Sequence, residues 1–356
     1  MKKISLFLII ISLLLSACNG TNIIKKEEKV VEKNTKGNSI IPKYSISDNY
    51  YKTIIPLKEH KIINTVNIQT NSKLDIDKLE LGLMNMASKQ FDTKNHLLQR
   101  SEYIAQKTID ELLTKQEIPY VSNIIEYDYY TKKNSGELSL AGVVIGLAMT
   151  SNHSNEEANV KGSEIANQLL KVLYDNKNFV KVPITFSIFK QEASDSLKAG
   201  TFISSVTVQK GENSIGQWAN INEKSFAYPS DDFKQVYNKD NEELDKFSVK
   251  VKKFNKDDYI PVNATIFYKD DHMDTVNMNV LVKFNGKSEL IAFTQMIVQN
   301  ILDVFSKDVK VQMNIKSEQK VEAVVVREKN EDEPFVSFIL NISLMYHGYF
   351  IISALK

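Results

Sequence analysis

The chain has 356 residues, of which 42% are hydrophobic and 25% charged, enough for two globular domains of ordinary composition. Its 45 Lys and Arg nearly balance 44 Asp and Glu, and the resulting net charge of +1 gives no broad positive field for a polyanion, so no nucleic-acid partner is expected. A single cysteine excludes an internal disulfide framework and a cysteine-based zinc site; the five histidines are scattered without a local pair, so no metal or cofactor is expected.

The N-terminus begins with Lys2 and Lys3, followed by an apolar run from Ile4 to Leu15 interrupted only by Ser5 and Ser12, and then by small residues. This pattern reads as an export signal over residues 1–17, because the apolar run is too short for a comfortable membrane span. The lone cysteine follows at once. Leu15-Ser16-Ala17-Cys18 reads as a lipobox, with cleavage between Ala17 and Cys18 and a diacylglycerol on the Cys18 thiol. The alternative is a plain signal peptide followed by a chance cysteine. The lipobox reading makes the cell membrane a partner through the lipid on Cys18. It places the protein outside the cytoplasm, anchored to the outer face of that membrane.

Residues 18–47 are rich in Lys, Glu, Asn and Ser, with too few large apolar residues to offset chain entropy, and read as a flexible tether. A first α+β domain with N-terminal helices is expected over 48–227. Within it, "LDIDKLELGLMNMASKQF" is a helix candidate with Asp77 as cap and Glu80 three residues on. A second helix is expected over 102–115. "LSLAGVVIGLAM" (138–149) reads as a buried strand, 156–175 as a helix with Ile165, Leu169, Val172 and Leu173 inward, and 179–189 and 201–209 as strands. Pro183 points to an edge or a bulge for the first of that pair.

The polar, turn-rich stretch 228–245 reads as a linker and 246–356 as a second α+β domain. There, 278–284 and 309–315 are strand candidates flanking a helix over 288–305. "VKVQMNI" echoes "VKVPITF" 129 residues earlier, and Phe335 in "FVSF" echoes Phe202 in "FISS". The fold class expected is therefore α+β, with two related repeats, each a mainly antiparallel sheet with packed helices. Residues 335–355 carry no charge, yet Asn341, His347 and Gly348 favour strands there over a membrane helix.

No catalytic motif stands out, and no catalytic residue is assigned. Asp75 and Asp77 are read as helix-capping rather than an acid–base pair. "KDDHMD" (269–274) lacks the alternating ligands of a calcium loop and reads as a turn. His153 sits in a polar loop without a nucleophile in sequence reach. The tyrosine-dense "EYDYYTKK" suits either a strand or a ligand contact. Trp218, with Phe226 and Tyr228, either lines a binding groove or covers a sheet; Trp218 and Tyr228 are kept as candidate binding residues.

Taken together, "LDIDKLELGLMNMA", "LAGVVIGLAMTS", "VPITFSIFKQEASDSLKAGTFISSV", "WANINEKSFAYPSDDF", "FNGKSELIAFTQ" and "VVVREKNEDEPFV" resemble the CamS-type lipoproteins, the sex pheromone cAM373 precursors of Gram-positive bacteria. The resemblance runs from about Tyr50 to Val336 and includes the lipobox. It implies a non-enzymatic surface lipoprotein with two related repeats. It also implies a released heptapeptide pheromone, here Ile11-Ser12-Leu13-Leu14-Leu15-Ser16-Ala17, and a peptide receptor on responder bacteria as its partner. The heptapeptide departs from the family's Ala-Ile-Phe-Ile opening. The alternatives are an envelope glycan- or solute-binding lipoprotein and, behind it, a cell-wall-acting enzyme.

Overall fold

β1 (Lys52–Thr53), β2 (Ser72–Lys73), α1 (Ile76–Ala87) and β3 (His96–Arg100) open the fold. A computed structural model describes residues 51–54, 72–73, 75–100, 103–104, 111, 120–254, 261–283 and 286–339, all within one unit, Ile40–Lys356. The signal peptide, the lipobox with Cys18, the tether, nearly all of the helix expected over 102–115 and the uncharged stretch beyond 339 lie outside the described residues.

The cap of α1 is Asp75, whose carboxylate accepts the Lys78 N–H at 3.2 Å, and not Asp77. Beginning at Ile76 sets that residue in line with Leu79 and Leu83, which face the core. Asp77 falls in the first turn, where its charge suits the helix dipole.

β4 (Val121–Lys132) and β5 (Leu138–Met149) form an antiparallel hairpin whose turn includes Gly136 at φ +86°, a left-handed conformation that glycine takes without steric cost. α2 (Asn155–Tyr174) follows. It starts with a capping box in which Ser154 and Glu157 satisfy each other's backbone N–H. A short 3₁₀ turn (Phe179–Lys181) then leads to β6 (Ile184–Lys190), parallel to β5, with β7 (Glu192–Ala193) pairing with β2 and β8 (Thr201–Val208) antiparallel to β6. β9 (Ala219–Asn220) closes a seven-stranded sheet in the order β1-β3-β4-β5-β6-β8-β9. β6 is thus interior and not an edge, and its register shift against β8 falls at Ile188/Phe189, away from Pro183. Pro183 precedes the strand, so its missing N–H breaks no ladder bond there, while its carbonyl accepts from Val143 at 3.1 Å.

The second sheet is β10 (Glu223–Tyr228), β11 (Val262–Lys269), β12 (His272–Leu281), β13 (Lys310–Lys316), β14 (Val321–Arg327) and β15 (Phe335–Phe338), in sequence order. α3 (Asp231–Val236), α4 (Asn238–Phe254) and α5 (Lys287–Val304) supply its helices. The stretch 228–245, expected as a linker, ends a strand and contains α3 and the N-terminal part of α4. Most of its polar residues lie on the outer faces of these helices, though Asn241 is buried and donates to Asp245 at 3.0 Å, while Phe233 and Leu244 are fully buried in the second core.

The repeat is visible in connectivity. β4-β5-α2-β6-β8 and β11-β12-α5-β13-β14 are each a hairpin, a helical crossover to a parallel strand, then an antiparallel strand. An offset of 129 keeps β6 and β13 in phase, but it places Leu173 opposite Leu302, which is 37% exposed. The buried stripes Ile165, Ala166, Leu169, Leu173 and Phe293, Thr294, Ile297, Ile301 superpose one residue closer. The counterpart of β8 is β14, so Phe335 belongs to the edge strand β15, which lies beside β14 as β9 lies beside β8.

Candidate functional site

α2 presents one flank to the segment entering β9, and a groove of about 480 Å³ lies there. It is lined by Asn159, Val160, Ser163, Glu164, Asn167, Trp218 and Asn220. Asn159, Ser163 and Asn167 are spaced i, i+4, i+8, which stacks them along one helix face over ~12 Å. The buried stripe of the same helix lies beside this row, with Leu170 next to it, so amphipathicity docks α2 and leaves these polar groups at the margin of the buried face.

Trp218 is half-buried and packs against the core beneath α2. Its indole N–H donates to Ser163 Oγ at 3.1 Å, which fixes the ring against the helix. Ser204 of β8 donates to Asn159 Oδ1 at 2.6 Å, and Asn167 Nδ2 donates to the Ser163 carbonyl at 2.9 Å. Glu164 accepts from Lys161 at 2.9 Å, and that contact holds the lysine above its ordinary pKa. The wall of the groove is therefore an aromatic ring flanked by amides, a hydroxyl and one carboxylate.

Tyr228, the other candidate, does not join it. It is a β10 residue facing the second core, with its hydroxyl donating to Asp245 at 2.8 Å, and Phe226 is buried in the same core. The tyrosine-dense stretch is β4, and Tyr127 and Tyr129 are core residues whose hydroxyl pKa values are pushed up by burial. "KDDHMD" is the β11–β12 turn, with Asp270 and Asp271 at positive φ; Asp271 pairs with Lys224 at 2.6 Å and Asp274 with Lys329 at 2.5 Å. His153 stacks on Tyr120 with ring centroids 4.0 Å apart. The amides of the groove were missed in the sequence. Three polar residues at i, i+4, i+8 looked like an ordinary solvated helix face, and only the fold brings Trp218 beside them.

Among the described residues no group of three or more His, Cys, Asp or Glu could hold a metal ion. None of the described helices is long and apolar enough to cross a membrane.

Two hairpin-crossover repeats, each with its own sheet and helices, define a tandem-repeat α+β protein. The family model described as "CamS sex pheromone cAM373 precursor" matches residues 58–119 and 114–333, and the chain belongs to that family. A solved structure described as a sex pheromone staph-cAM373 precursor is 55% identical, covering 80% of this chain and 100% of its own, with a TM-score of 0.49. The C-terminal domain of sex pheromone staph-cAM373 precursor from Staphylococcus aureus is 22% identical over 74% of this chain and 96% of its own, at TM-score 0.63. A sex pheromone precursor from Lactobacillus salivarius subsp. salivarius UCC118 is 24% identical over 74% and 87%, at TM-score 0.67. These last two share the fold. No curated protein matches the chain.

Proposed function

We propose that this CamS-family chain is a lipid-anchored surface precursor with two products. The Cys18 sulfur would carry a diacylglycerol through a thioether, and hydrolysis of the Ala17–Cys18 bond would free the mature protein. From the discarded segment, Ile11-Ser12-Leu13-Leu14-Leu15-Ser16-Ala17 would be released as an apolar heptapeptide for a receptor on responder bacteria. The folded part would be a non-enzymatic binding module that uses the Trp218 groove. The observation that carries this reading is family membership across 58–333, beside a lipobox whose only thiol is Cys18.

Cells fed a labelled fatty-acid analogue should label the wild-type protein and not Cys18→Ala; label persisting in the variant would remove the anchor. Synthetic ISLLLSA should induce responder cells carrying a cAM373-responsive plasmid. Silence across the dose range would remove the pheromone product and leave the anchored module standing.

A further inference from the structure

We propose that the Trp218 groove binds a neutral pyranose glycan, with a sugar face on the indole and its hydroxyls held by the α2 side chains. This deepens the binding-module reading and rests on it.

The bonds within the groove occupy only part of the hydrogen-bonding capacity of its side chains and leave both donors and acceptors over. With Asn159 Oδ1 occupied by Ser204, its Nδ2 remains a donor, and with Ser163 Oγ accepting from Trp218, its hydroxyl proton remains to give. With Asn167 Nδ2 occupied by the Ser163 carbonyl, its Oδ1 remains an acceptor, as does the second oxygen of Glu164 beyond the Lys161 contact. A row with two donors towards one end and two acceptors towards the other matches sugar hydroxyls, which each donate and accept. An aromatic ring beside it supplies the apolar surface that the C–H face of a pyranose needs.

The charge of the lining narrows the ligand further. Neither Lys nor Arg is among the lining residues, and Glu164 is an anion. A polyphosphate or uronate would find no cation in the lining itself, and the nearby Lys161 is already paired with Glu164, whereas a neutral sugar needs no countercharge. An apolar peptide would bury the polar atoms of Asn159, Ser163 and Asn167 without partners, which is costly. The polar row, ~12 Å long, suits a short oligosaccharide better than a single sugar.

Trp218 is the only tryptophan in the chain, so tryptophan emission, excited beyond the tyrosine band, reads this groove. Full-length protein is titrated with a β-1,4-linked N-acetylglucosamine tetramer and with maltotetraose, and separately with poly(glycerol phosphate) and with ISLLLSA. A saturable change with at least one oligosaccharide is expected. Asn167→Ala should weaken it up to about tenfold, the value of one lost hydrogen bond. Calorimetry on Trp218→Ala should show the same binding lost while far-ultraviolet dichroism is unchanged.

A response to the phosphate polymer or the peptide, with none to either sugar, would overturn the glycan and keep the groove as a binding site. Silence towards all four would overturn the glycan and the groove together. Sugar binding undiminished in both variants would place the saccharide elsewhere and overturn the proposal.

Discussion

The two sheets bury themselves in different ways. The first is covered on both faces: α1 packs Leu79 and Leu83 on one side and α2 packs Ile165, Leu169 and Leu173 on the other. Neighbouring residues of β5 therefore enter different cores, Val144 under α1 and Ile145 under α2, and the strand is buried without a break from Gly142 to Met149. Gly146 has no room for a side chain, since a Cβ there would lie 2.6 Å from Leu83 Cδ1. The second sheet has one core. Val276, Met278 and Val280 of β12 face α4 and α5, while Thr275, Asn277 and Asn279 between them remain partly exposed. Asn263, Gln312 and Asn314 extend that amide-rich face over neighbouring strands. Two layers of helix allow a strand to be apolar throughout; one layer demands alternation.

The single core of the second sheet depends on a polar tie, which gives the largest expected effect. Arg327 at the end of β14 is 1% exposed. Its guanidinium donates to the carbonyls of Phe305, Ser306 and Val309 at 2.9, 2.5 and 3.1 Å, joining the C-terminus of α5 to the sheet. Arg327→Met keeps the volume and strands three acceptors, at a cost of about 3–5 kcal/mol. Urea unfolding should show the loss. A change below about 1 kcal/mol would mean that water replaces the guanidinium and the tie is dispensable.

This difference between the sheets governs what could be read in advance. "LSLAGVVIGLAM" was legible as a strand because a run this apolar and rich in Val and Ile fits a doubly covered position. The helices 155–174 and 287–304 were legible from their buried stripes. β10 and β11 were not, because "EKSFAY" and "VNATIFYK" mix an apolar core face with a polar open face and lack strong turn residues between elements. α4 was hidden by a mean composition so polar that it resembled a linker, although Leu244, Phe247 and Val251 mark its core side. Trp218 was legible as a candidate; its partners on α2 were not, since they lie some 50 residues away and meet it only through β8 and β9. Tyr228 shared Trp218's sequence neighbourhood and nothing else, because the intervening chain passes from the first sheet to the second.

Paired substitutions on adjacent residues sharpen the comparison at intermediate size. In β5, Val144→Ala and Ile145→Ala should each cost on the order of 2–3 kcal/mol, since each removes methyl groups from a closed core. In β12, Val276→Ala should cost on the order of 2 kcal/mol, whereas Asn277→Ala should stay within about 0.5 kcal/mol. Denaturant midpoints measured on the four variants decide it. Equal losses at Val276 and Asn277 would mean that the amide face is covered, and the contrast between the sheets would fail.

Acid offers the smallest effect and separates the sheets by charge. Asp271, Asp274, Asp303, Asp308 and Glu322, all in the second repeat, have pKa values held below the ordinary carboxylate range. Hydrogen bonds lead at Asp271 from Lys224, at Asp303 from Gln299, at Asp308 from Ser306 and at Glu322 from Lys287. At Asp274 burial works the other way, and bonds from Lys329 and Thr275 outweigh it. Ahead of the first repeat, between α1 and β3, Asp92 shows a lowered value, set by bonds from Asn95. A carboxylate depressed in the folded state contributes stability above its unfolded pKa of about 4 and loses it as pH falls through the folded value. Most of these groups are exposed, so each contribution is small and screened by salt. Among the described residues their number still tilts the balance: between about pH 4 and pH 2, amide exchange should accelerate in β13 and β14 before β5 and β6, and Trp218 fluorescence should hold until the first sheet opens. Simultaneous loss in both sheets would show that they unfold as one cooperative unit, and the charge difference would then shift only their common midpoint.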